Sequence, residues 1–249
     1  MVNEAYYSPA PGKADDTPSP NAIILLTDIF GLPLNNCKIL ADLLASKVGV
    51  DVWVPDLFDG PPPFSTEELT PLMPDRAGVG ISTWDMLRFI WMCIPRIPRL
   101  YANRATVVDA RVEAFVKELK AEKKYGKLGA VGYCFGGSVA IRIGGRRLVD
   151  SIVVCHPGSC TLEQIQQITV PASWACAEDD LGFGPKLRSG AEEIFKARQG
   201  KDNYVDYEFV DYKGTAHGFA ARPNLTITEV QEGYNGALQQ TADWFKKTL

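Results

Sequence analysis

The sequence has few of the features that mark membrane, secreted or nucleic-acid-binding proteins. Its most apolar segments, residues 22–26 and 89–94, are far shorter than the roughly 20 residues that a helix needs to cross a bilayer. Residues 1–21 contain no basic leader followed by an apolar stretch. The net charge of −4 comes from mixed signs along the whole chain, without the basic stripe that binds a phosphate backbone. We therefore expect a soluble, cytoplasmic protein that binds neither nucleic acid nor membranes.

The numbers and spacing of cysteine and histidine bear on the redox state of the thiols and on a thiol redox function. The chain has six cysteines and only two histidines. In a chain of this length without an export signal, we interpret the cysteines as reduced thiols rather than as a disulfide framework. No C-x-x-C pair occurs, which disfavours a thiol redox motif. A redox role for Cys134, resolved by a thiol from another strand, stays open.

Short apolar runs bounded by turn residues alternate with segments of helical periodicity. The runs predict strands and the segments between them predict helices. This alternation favours a largely parallel sheet covered by helices on both faces, the α/β class. The predicted strands are residues 22–27, 50–55, 128–133, 151–155, 170–175 and 204–210, and the predicted helices are residues 36–48, 104–124, 137–147, 185–198 and 227–247.

The domain organisation follows from the absence of divisions in the sequence. We see no internal repeat with a period of roughly 20 to 50 residues and no Gly/Ser-rich linker between two cores. Residues 1–21 are rich in Pro, Ser, Ala and Asp, which is typical of an extended or poorly ordered arm. We predict this N-terminal arm followed by one α/β domain over residues 22–249.

A Pro-rich and aromatic insertion around residues 56–103 breaks the strand–helix rhythm. The Gly-Pro-Pro-Pro sequence at 60–63 interrupts regular structure shortly after the second predicted strand. We expect the insertion to pack over one edge or the mouth of the sheet. Two interpretations remain open: a lid, or a helical excursion that simply buries Trp84, Phe89 and Trp91.

The most informative motif follows the predicted strand at 128–133. Gly132 and Gly136 flank Cys134 in a Gly-x-Cys-x-Gly sequence, the pattern of a nucleophile elbow with Cys in place of Ser. A tight strand-to-helix turn holds such a nucleophile in a strained, exposed conformation, and the glycines leave space where side chains would collide. The positive end of the following helix lowers a thiol pKa, and the N–H of Phe135 would receive the oxyanion of a tetrahedral intermediate.

The general base and its orienting acid have few candidates. His217 follows the last predicted strand, where the order nucleophile, acid, histidine places the base. His156 follows the strand after the elbow helix and is either an ordinary loop histidine, which we favour, or a residue lining the pocket. Three carboxylates in a row at 178–180 follow the preceding strand, and one of them would hold the imidazole in the correct tautomer.

These positions together resemble the dienelactone hydrolase family, the carboxymethylenebutenolidases, from about residue 22 to the C-terminus. Five separate segments carry the resemblance, and together they are far more specific than any one alone. They are TDIFG at 27–31, VPDLF at 54–58, GYCFGG at 132–137, the A-x-x-D segment ending at Asp180, and HGF at 217–219.

The resemblance implies an α/β-hydrolase fold that needs neither a metal nor an organic cofactor. It also implies a catalytic triad, which falls on Cys134, His217 and Asp180. Asp180 lies three residues after an alanine, as in the family pattern, but Pro185 comes one residue later than that pattern predicts. Asp179 is therefore a second choice for the acid.

Further roles come from the same resemblance. Ile29 would supply the second oxyanion N–H, and Asp28 occupies the place of an acidic residue that contacts the nucleophile before substrate arrives. Asp is shorter than the Glu of the bacterial lactonases, and the alternative for Asp28 is an ordinary acidic residue of an N-terminal loop. Arg222 is the candidate for binding a substrate carboxylate, with Tyr133 as a second substrate-binding residue. The insertion does not resemble the bacterial members well enough to assign Arg104 such a role.

The sequence thus predicts hydrolysis of a small ester or enol-lactone, a dienelactone-like substrate, through an acyl-thioester intermediate. A thioesterase or general carboxylesterase would use the same residues. A non-catalytic ligand-binding member of the fold is a further alternative, since folds keep pockets while losing chemistry. We expect a small-molecule partner and a monomer or homodimer.

Overall fold

A seven-stranded sheet organises the computed structural model, which describes residues 4–12 and 19–249. The strand order is β1-β3-β2-β4-β5-β6-β7, and every pairing is parallel except that of β1 with β3. The strands are β1 (Tyr6–Ser8), β2 (Asn21–Leu26), β3 (Asp51–Val54), β4 (Lys127–Tyr133), β5 (Ser151–Cys155), β6 (Ala172–Asp179) and β7 (Tyr207–Ala216).

Helices connect these strands and cover both faces of the sheet, so the predicted α/β class is confirmed. They are α1 (Asn35–Val48), α2 (Thr66–Leu69), α3 (Thr83–Cys93), α4 (Ile97–Ala102), α5 (Ala105–Lys123), α6 (Phe135–Gly145), α7 (Leu162–Gln166), α8 (Pro185–Lys196) and α9 (Thr228–Thr248). Two 3₁₀ turns, Thr70–Leu72 and Ile94–Arg96, lie between the helices of the insertion. Among the described residues, no helix has the length and apolarity to cross a membrane.

The core consists of two apolar layers, one on each face of the sheet. Alternation along β2 explains both layers: Ile23 and Leu25 face the helices α1 and α9, while Ile24 and Leu26 face α5, α6 and α8. All four side chains are fully buried. A strand buried on both faces carries an unbroken apolar run instead of an alternating one, which is why the run was visible in the sequence.

The N-terminal segment contributes an edge strand. Residues 6–8 of β1 pair antiparallel with β3, and the buried carboxylate of Asp51 accepts hydrogen bonds from the N–H groups of Ala10 and Ser19 at 2.9 and 3.1 Å. These bonds tie the described part of the predicted arm to the sheet. Residues 1–3 and 13–18 of that arm lie outside the described residues, and the division at residue 21 stays a prediction.

The insertion is helical, but its aromatic residues are not all buried. Phe89 of α3 packs against Phe64, with ring centroids 6.2 Å apart. Trp84 and Trp91, by contrast, are 68% and 72% exposed. The expectation that the insertion buries all three aromatic residues is therefore wrong for both tryptophans, because they lie on the face of α3 opposite Phe89.

Candidate active site

The turn between β4 and α6 places Cys134 in an unusual backbone conformation. β4 ends at Tyr133, α6 begins at Phe135, and Cys134 between them has φ 51° and ψ −109°. A non-glycine residue in this region costs about 1 to 3 kcal/mol and persists only where its surroundings enforce it. The Cys134 N–H donates to Cys155 at 3.1 Å and its carbonyl accepts from Gly158 at 2.9 Å. The neighbouring strand and the loop after it therefore hold the turn.

Two glycines make this turn possible. A Cβ at Gly132 would lie 2.1 Å from the carbonyl oxygen of Gly136, and a Cβ at Gly136 would lie 2.1 Å from the carbonyl oxygen of Leu26. Real Cβ atoms do not approach backbone so closely, so both positions require glycine. The spacing in the Gly-x-Cys-x-Gly motif thus has a steric cause. It brings the start of α6 against the end of β2.

The backbone N–H groups of Phe135 and Ile29 lie at the turn without an acceptor among the described residues. The Gly136 N–H donates to the Thr27 carbonyl at 2.9 Å, which fixes the loop carrying Ile29 beside the first turn of α6. The N–H groups of Phe135 and Ile29 have no hydrogen-bond acceptor within the described chain. Phe135 is the first residue of α6, where N–H groups lack intrahelical partners and attract negative charge.

His217 lies just beyond β7 and contacts a buried carboxylate. Its Nδ1 is 2.9 Å from Oδ1 of Asp180. The side chain of Asp180 is only 2% exposed, and its Oδ1 also accepts from the N–H groups of Gly182 and Phe183 at 2.8 and 3.1 Å. The three bonds fix the carboxylate and, through it, the imidazole ring.

The other two carboxylates of the 178–180 run face elsewhere. Asp179 accepts the N–H of Gly78 at 2.6 Å, at an exposed position. Glu178 pairs with Lys213 at 3.3 Å and accepts the N–H of Gly214. Of the three, only Asp180 contacts the His217 ring within the described structure.

The imidazole of His217 is placed to hold a proton. Burial acts to lower its pKa, but the negative charge of Cys134 and the hydrogen bond to Asp180 act in the opposite direction and raise the pKa above its usual value. The His217 side chain is 26% exposed, so one edge of the ring reaches solvent. Cys134, His217 and Asp180 therefore form an electrostatically coupled chain of thiol, imidazole and carboxylate.

Asp28 and Arg222 form an ion pair beside these residues. Oδ2 of Asp28 accepts from Nε of Arg222 at 2.9 Å, and Oδ1 accepts from the N–H of Phe30 at 3.0 Å. The guanidinium carbon lies 4.5 Å from the centre of the Phe30 ring. Burial raises the pKa of Asp28, against the lowering effect of Arg222. The predicted contact between Asp28 and Cys134 is not among the hydrogen bonds of the described residues. The carboxylate of Asp28 accepts from Arg222 instead.

A cavity of about 310 Å³ opens between the insertion and the loop that carries His217. Both His217 and Arg222 line it, together with Met73 and Asp75 from the insertion. The side-chain amide of Asn224 donates to Asp75 at 2.7 Å and links the two walls. The cavity's size suits a small organic molecule. Among the described residues, no three His, Cys, Asp or Glu side chains are grouped to hold a metal ion.

Two residues lie where the sequence did not predict them. Tyr133, expected to bind substrate, is only 2% exposed and packs in the core layer on the α1–α9 face. Its side chain points to the face that Val131 also occupies, because alternate residues of a strand share a face. His156 is not an ordinary loop histidine: it is fully buried and its ring centroid lies 5.1 Å from that of His217, edge to face.

Comparisons with known proteins identify the family and the fold of this chain. Residues 10–249 match the dienelactone hydrolase family. The hydrolase tropI of Talaromyces stipitatus is 30% identical over 248 residues, which cover 99% of this chain and 87% of that protein. The carboxymethylenebutenolidase homolog of Homo sapiens is 25% identical over 251 residues, with 99% and 88% covered. The structure of an α/β serine hydrolase from Xanthomonas campestris has a TM-score of 0.55 and 11% identity, with 96% of this chain and 88% of that one covered.

The fold is thus the α/β-hydrolase fold, as the sequence predicted. Within it, the chain belongs to the dienelactone hydrolase family and is a hydrolase of that family.

Proposed function

We propose that this hydrolase cleaves a small ester or enol-lactone, with Cys134 as nucleophile, His217 as general base and acid, and Asp180 as the residue that orients His217. One observation carries the proposal: a strained, partly exposed thiol at a helix N-terminus helps to raise the pKa of an imidazole whose Nδ1 lies 2.9 Å from a buried carboxylate. Nucleophile, base and orienting group in this relation are the signature of covalent acyl transfer.

The first half of the reaction forms a thioester. His217 takes the thiol proton of Cys134, the sulfur attacks the carbonyl carbon of the substrate, and the carbonyl electron pair moves to oxygen. The N–H groups of Phe135 and Ile29 stabilise this oxyanion. When the tetrahedral intermediate collapses, the bond to the leaving oxygen breaks, and His217 donates its proton to that oxygen. The products of this half are an alcohol or enol and an acyl group on Cys134.

The second half returns the enzyme to its starting state. His217, now neutral, takes a proton from a water molecule, which attacks the thioester carbonyl. The second tetrahedral intermediate uses the same two N–H groups. Its collapse breaks the carbon–sulfur bond, releases a carboxylic acid and leaves the thiolate beside the protonated imidazole. Asp180 stabilises that imidazolium in both halves.

Arg222 is the group in the cavity best suited to a substrate carboxylate. Its Nε is held by Asp28, while its guanidinium lines the cavity beside His217. A guanidinium has further N–H donors in a fixed fork, which bind carboxylates in pairs. In this proposal Asp28 orients Arg222 instead of contacting Cys134. The name of the human relative, a carboxymethylenebutenolidase homolog, fits a carboxylated lactone. Six free thiols suit a reducing compartment, so we place the protein in the cytoplasm.

Intact-protein mass spectrometry tests the mechanism directly. The protein is exposed briefly to activated esters and enol-lactones, and the wild type is compared with Cys134→Ala, His217→Ala and, as a thiol control, Cys93→Ala. Cys93 is a partly exposed cysteine of α3 outside the cavity. We expect turnover by wild type and Cys93→Ala. His217→Ala should accumulate an acyl adduct or show no activity, and Cys134→Ala should show neither turnover nor an adduct. Undiminished hydrolysis by Cys134→Ala would refute the proposal.

A thioesterase or general carboxylesterase activity would use the same residues, so substrate rates decide between them. A panel that pairs each oxygen ester with its thioester and each carboxylated lactone with its uncarboxylated analogue measures both preferences. Preference for carboxylated lactones supports the dienelactone-like reaction. If no substrate turns over or labels Cys134, the non-catalytic binding alternative replaces it.

A further inference from the structure

A long helical ridge in the insertion carries large apolar side chains that nothing in the described chain covers. α3, the 3₁₀ turn at Ile94–Arg96 and α4 follow one another without a break from Thr83 to Ala102. Six of its large apolar side chains share one face and are 46% to 72% exposed. We call them the apolar stripe: Trp84, Leu87, Trp91, Ile94, Ile97 and Tyr101. Their spacing of three or four residues places them on one face of the ridge.

The opposite face of the ridge is apolar as well. Phe89 and Leu100 pack, with other ridge residues, against a small cluster of Phe30, Phe64 and Leu69. The ridge is therefore docked on the protein by one hydrophobic face while presenting a second to solvent. An apolar face of a helix is normally buried against another element. In the isolated chain the apolar stripe is not buried against anything among the described residues, which indicates that another surface covers it.

The exposed area is that of a specific protein interface. An aromatic side chain buries about 150 to 250 Å², so three of them at two-thirds exposure offer on the order of 400 Å². Leu87, Ile94 and Ile97, about half exposed, add on the order of 100 Å² or more. One side of a standard interface covers about 800 Å², of which roughly 60% is apolar. The stripe alone supplies approximately that apolar share.

The charges around the ridge favour a protein surface over an anionic lipid or nucleic acid. Three of the four arginines between positions 88 and 104 have a charged or aromatic partner within the chain, and Arg99 donates to the carbonyl of Pro62 at 3.4 Å. Arg88 pairs with Asp85, Arg96 pairs with Glu68, and the guanidinium of Arg104 lies 4.4 Å from the ring centre of Tyr101. A membrane-binding amphipathic helix instead projects free basic side chains towards phosphates. The net charge of the chain is −4, which opposes anionic surfaces further.

We propose that the apolar stripe is the interface of a symmetric homodimer, in which the ridges of two copies pack antiparallel about a two-fold axis near Trp91. A two-fold interface uses the same patch on both subunits, and a ridge with three- and four-residue spacing packs against its own copy at a shallow angle. Eighteen residues from Trp84 to Tyr101 span about 26 Å. That length fits the side of one standard interface. Homodimer interfaces are also the most apolar and aromatic-rich class.

Sedimentation velocity on the full chain tests the proposal. The double variant Trp91→Glu/Ile97→Glu places two charges in the middle of the stripe, at side chains outside the cavity. The matched control Ile39→Glu places a charge at a comparably exposed isoleucine of α1, which is 53% exposed. We expect a wild-type dimer at micromolar concentrations, an unchanged dimer for Ile39→Glu, and a dissociation constant at least tenfold higher for the double variant. Far-UV circular dichroism and the melting temperature show that each variant is folded.

Several results would overturn the homodimer. A wild-type protein that stays monomeric to hundreds of micromolar would do so, and so would a dimer that survives the double variant with its affinity unchanged. Loss of the dimer in Ile39→Glu alone would place the interface on α1. If the double variant does not fold, the single variants Trp84→Ser and Tyr101→Ser carry the same expectation. Wild-type monomers that bind vesicles of phosphatidylcholine and phosphatidylserine through the stripe would replace the second copy by a lipid surface.

Discussion

Replacing His156 by leucine should make the protein less sensitive to acid. The His156 ring is completely buried, and neither of its nitrogens has a hydrogen-bond partner among the described residues. It packs between the rings of His217, Phe219 and Tyr133, with centroids 5.1, 5.5 and 6.1 Å away. Burial lowers the pKa of His156 well below 6.5, and the nearby positive charges of His217 and Arg222 lower it further.

The sign and size of the pH effect follow from this burial. The unfolded chain binds a proton at His156 near pH 6.5, whereas the folded chain does so only at much lower pH. The contribution of His156 to stability is therefore complete above pH 6.5 and is lost as pH falls below it, by about 1.4 kcal/mol per pH unit. His156→Leu has no such proton-binding group. Its free energy of unfolding, relative to that of the wild type, should therefore rise by about 1.4 kcal/mol for each pH unit below 6.5. At pH 7 leucine leaves no unpaired polar atom, so we expect equal or greater stability.

Urea unfolding followed by tryptophan fluorescence at pH 7, 6 and 5 measures the difference. The quantity of interest is the free energy of unfolding of wild type minus that of His156→Leu, plotted against pH. A flat plot would refute the reasoning, because it would mean that His156 titrates normally in the folded state. The same variant should lower kcat about tenfold, since His217 loses the ring that supports its orientation. An unchanged kcat would show that His156 has no part in positioning His217.

Four further predictions concern single positions. Asp180→Asn should reduce kcat about 100-fold or more, because Asp180 holds Nδ1 of His217; Asp179→Asn is the control, and an equal loss there would contradict the assignment. Gly132→Ala should cost about 3 kcal/mol or more of unfolding free energy, since the new Cβ meets backbone at 2.1 Å. Gly80→Ala, with open space around its Cβ, should change stability by about 0.5 kcal/mol at most. Arg222→Met should raise KM about tenfold for a carboxylated lactone and leave KM for its methyl ester unchanged; equal effects on both would exclude carboxylate binding. Asp109→Ala should lower the unfolding free energy by about 2 kcal/mol, because Arg142 at 14% exposure loses its bidentate partner at 2.8 to 3.0 Å, and a change under about 0.5 kcal/mol in urea unfolding would contradict this.

Much of the fold was readable because its strands are buried on both faces. Each predicted strand is present, with boundary shifts of a few residues, since a short continuous apolar run such as that of β2 is typical of a strand buried on both faces. The elbow was readable because steric limits at Gly132 and Gly136 constrain residue type directly. The end of the last strand was harder to predict from the sequence. β7 continues to Ala216 through polar residues, beyond the predicted end at residue 210.

The errors came from tertiary context. Tyr133 could have been assigned to the core, because it shares a strand face with Val131, but its position beside Cys134 favoured a role in the site. The burial of His156 had no local signal: it depends on Phe219 and His217, which reach it from loops more than 60 residues away. The exposure of Trp84 and Trp91 could not be predicted either, since periodicity identifies two apolar faces of α3 but not which of them contacts the sheet domain.

The ion pair between Asp28 and Arg222 joins loops 194 residues apart in sequence. Segments so distant meet only when the strands on both sides of β4 have joined the sheet, because β2 and β7 lie on opposite sides of β4. Forming such a contact costs chain entropy that no local structure can offset. The cavity beside His217 therefore cannot exist in a partly folded or truncated chain that retains only the first strands. A fragment ending before Arg222 would lack both this guanidinium and α9, whose buried side chains form part of one core layer, so the ion pair marks the completely folded chain.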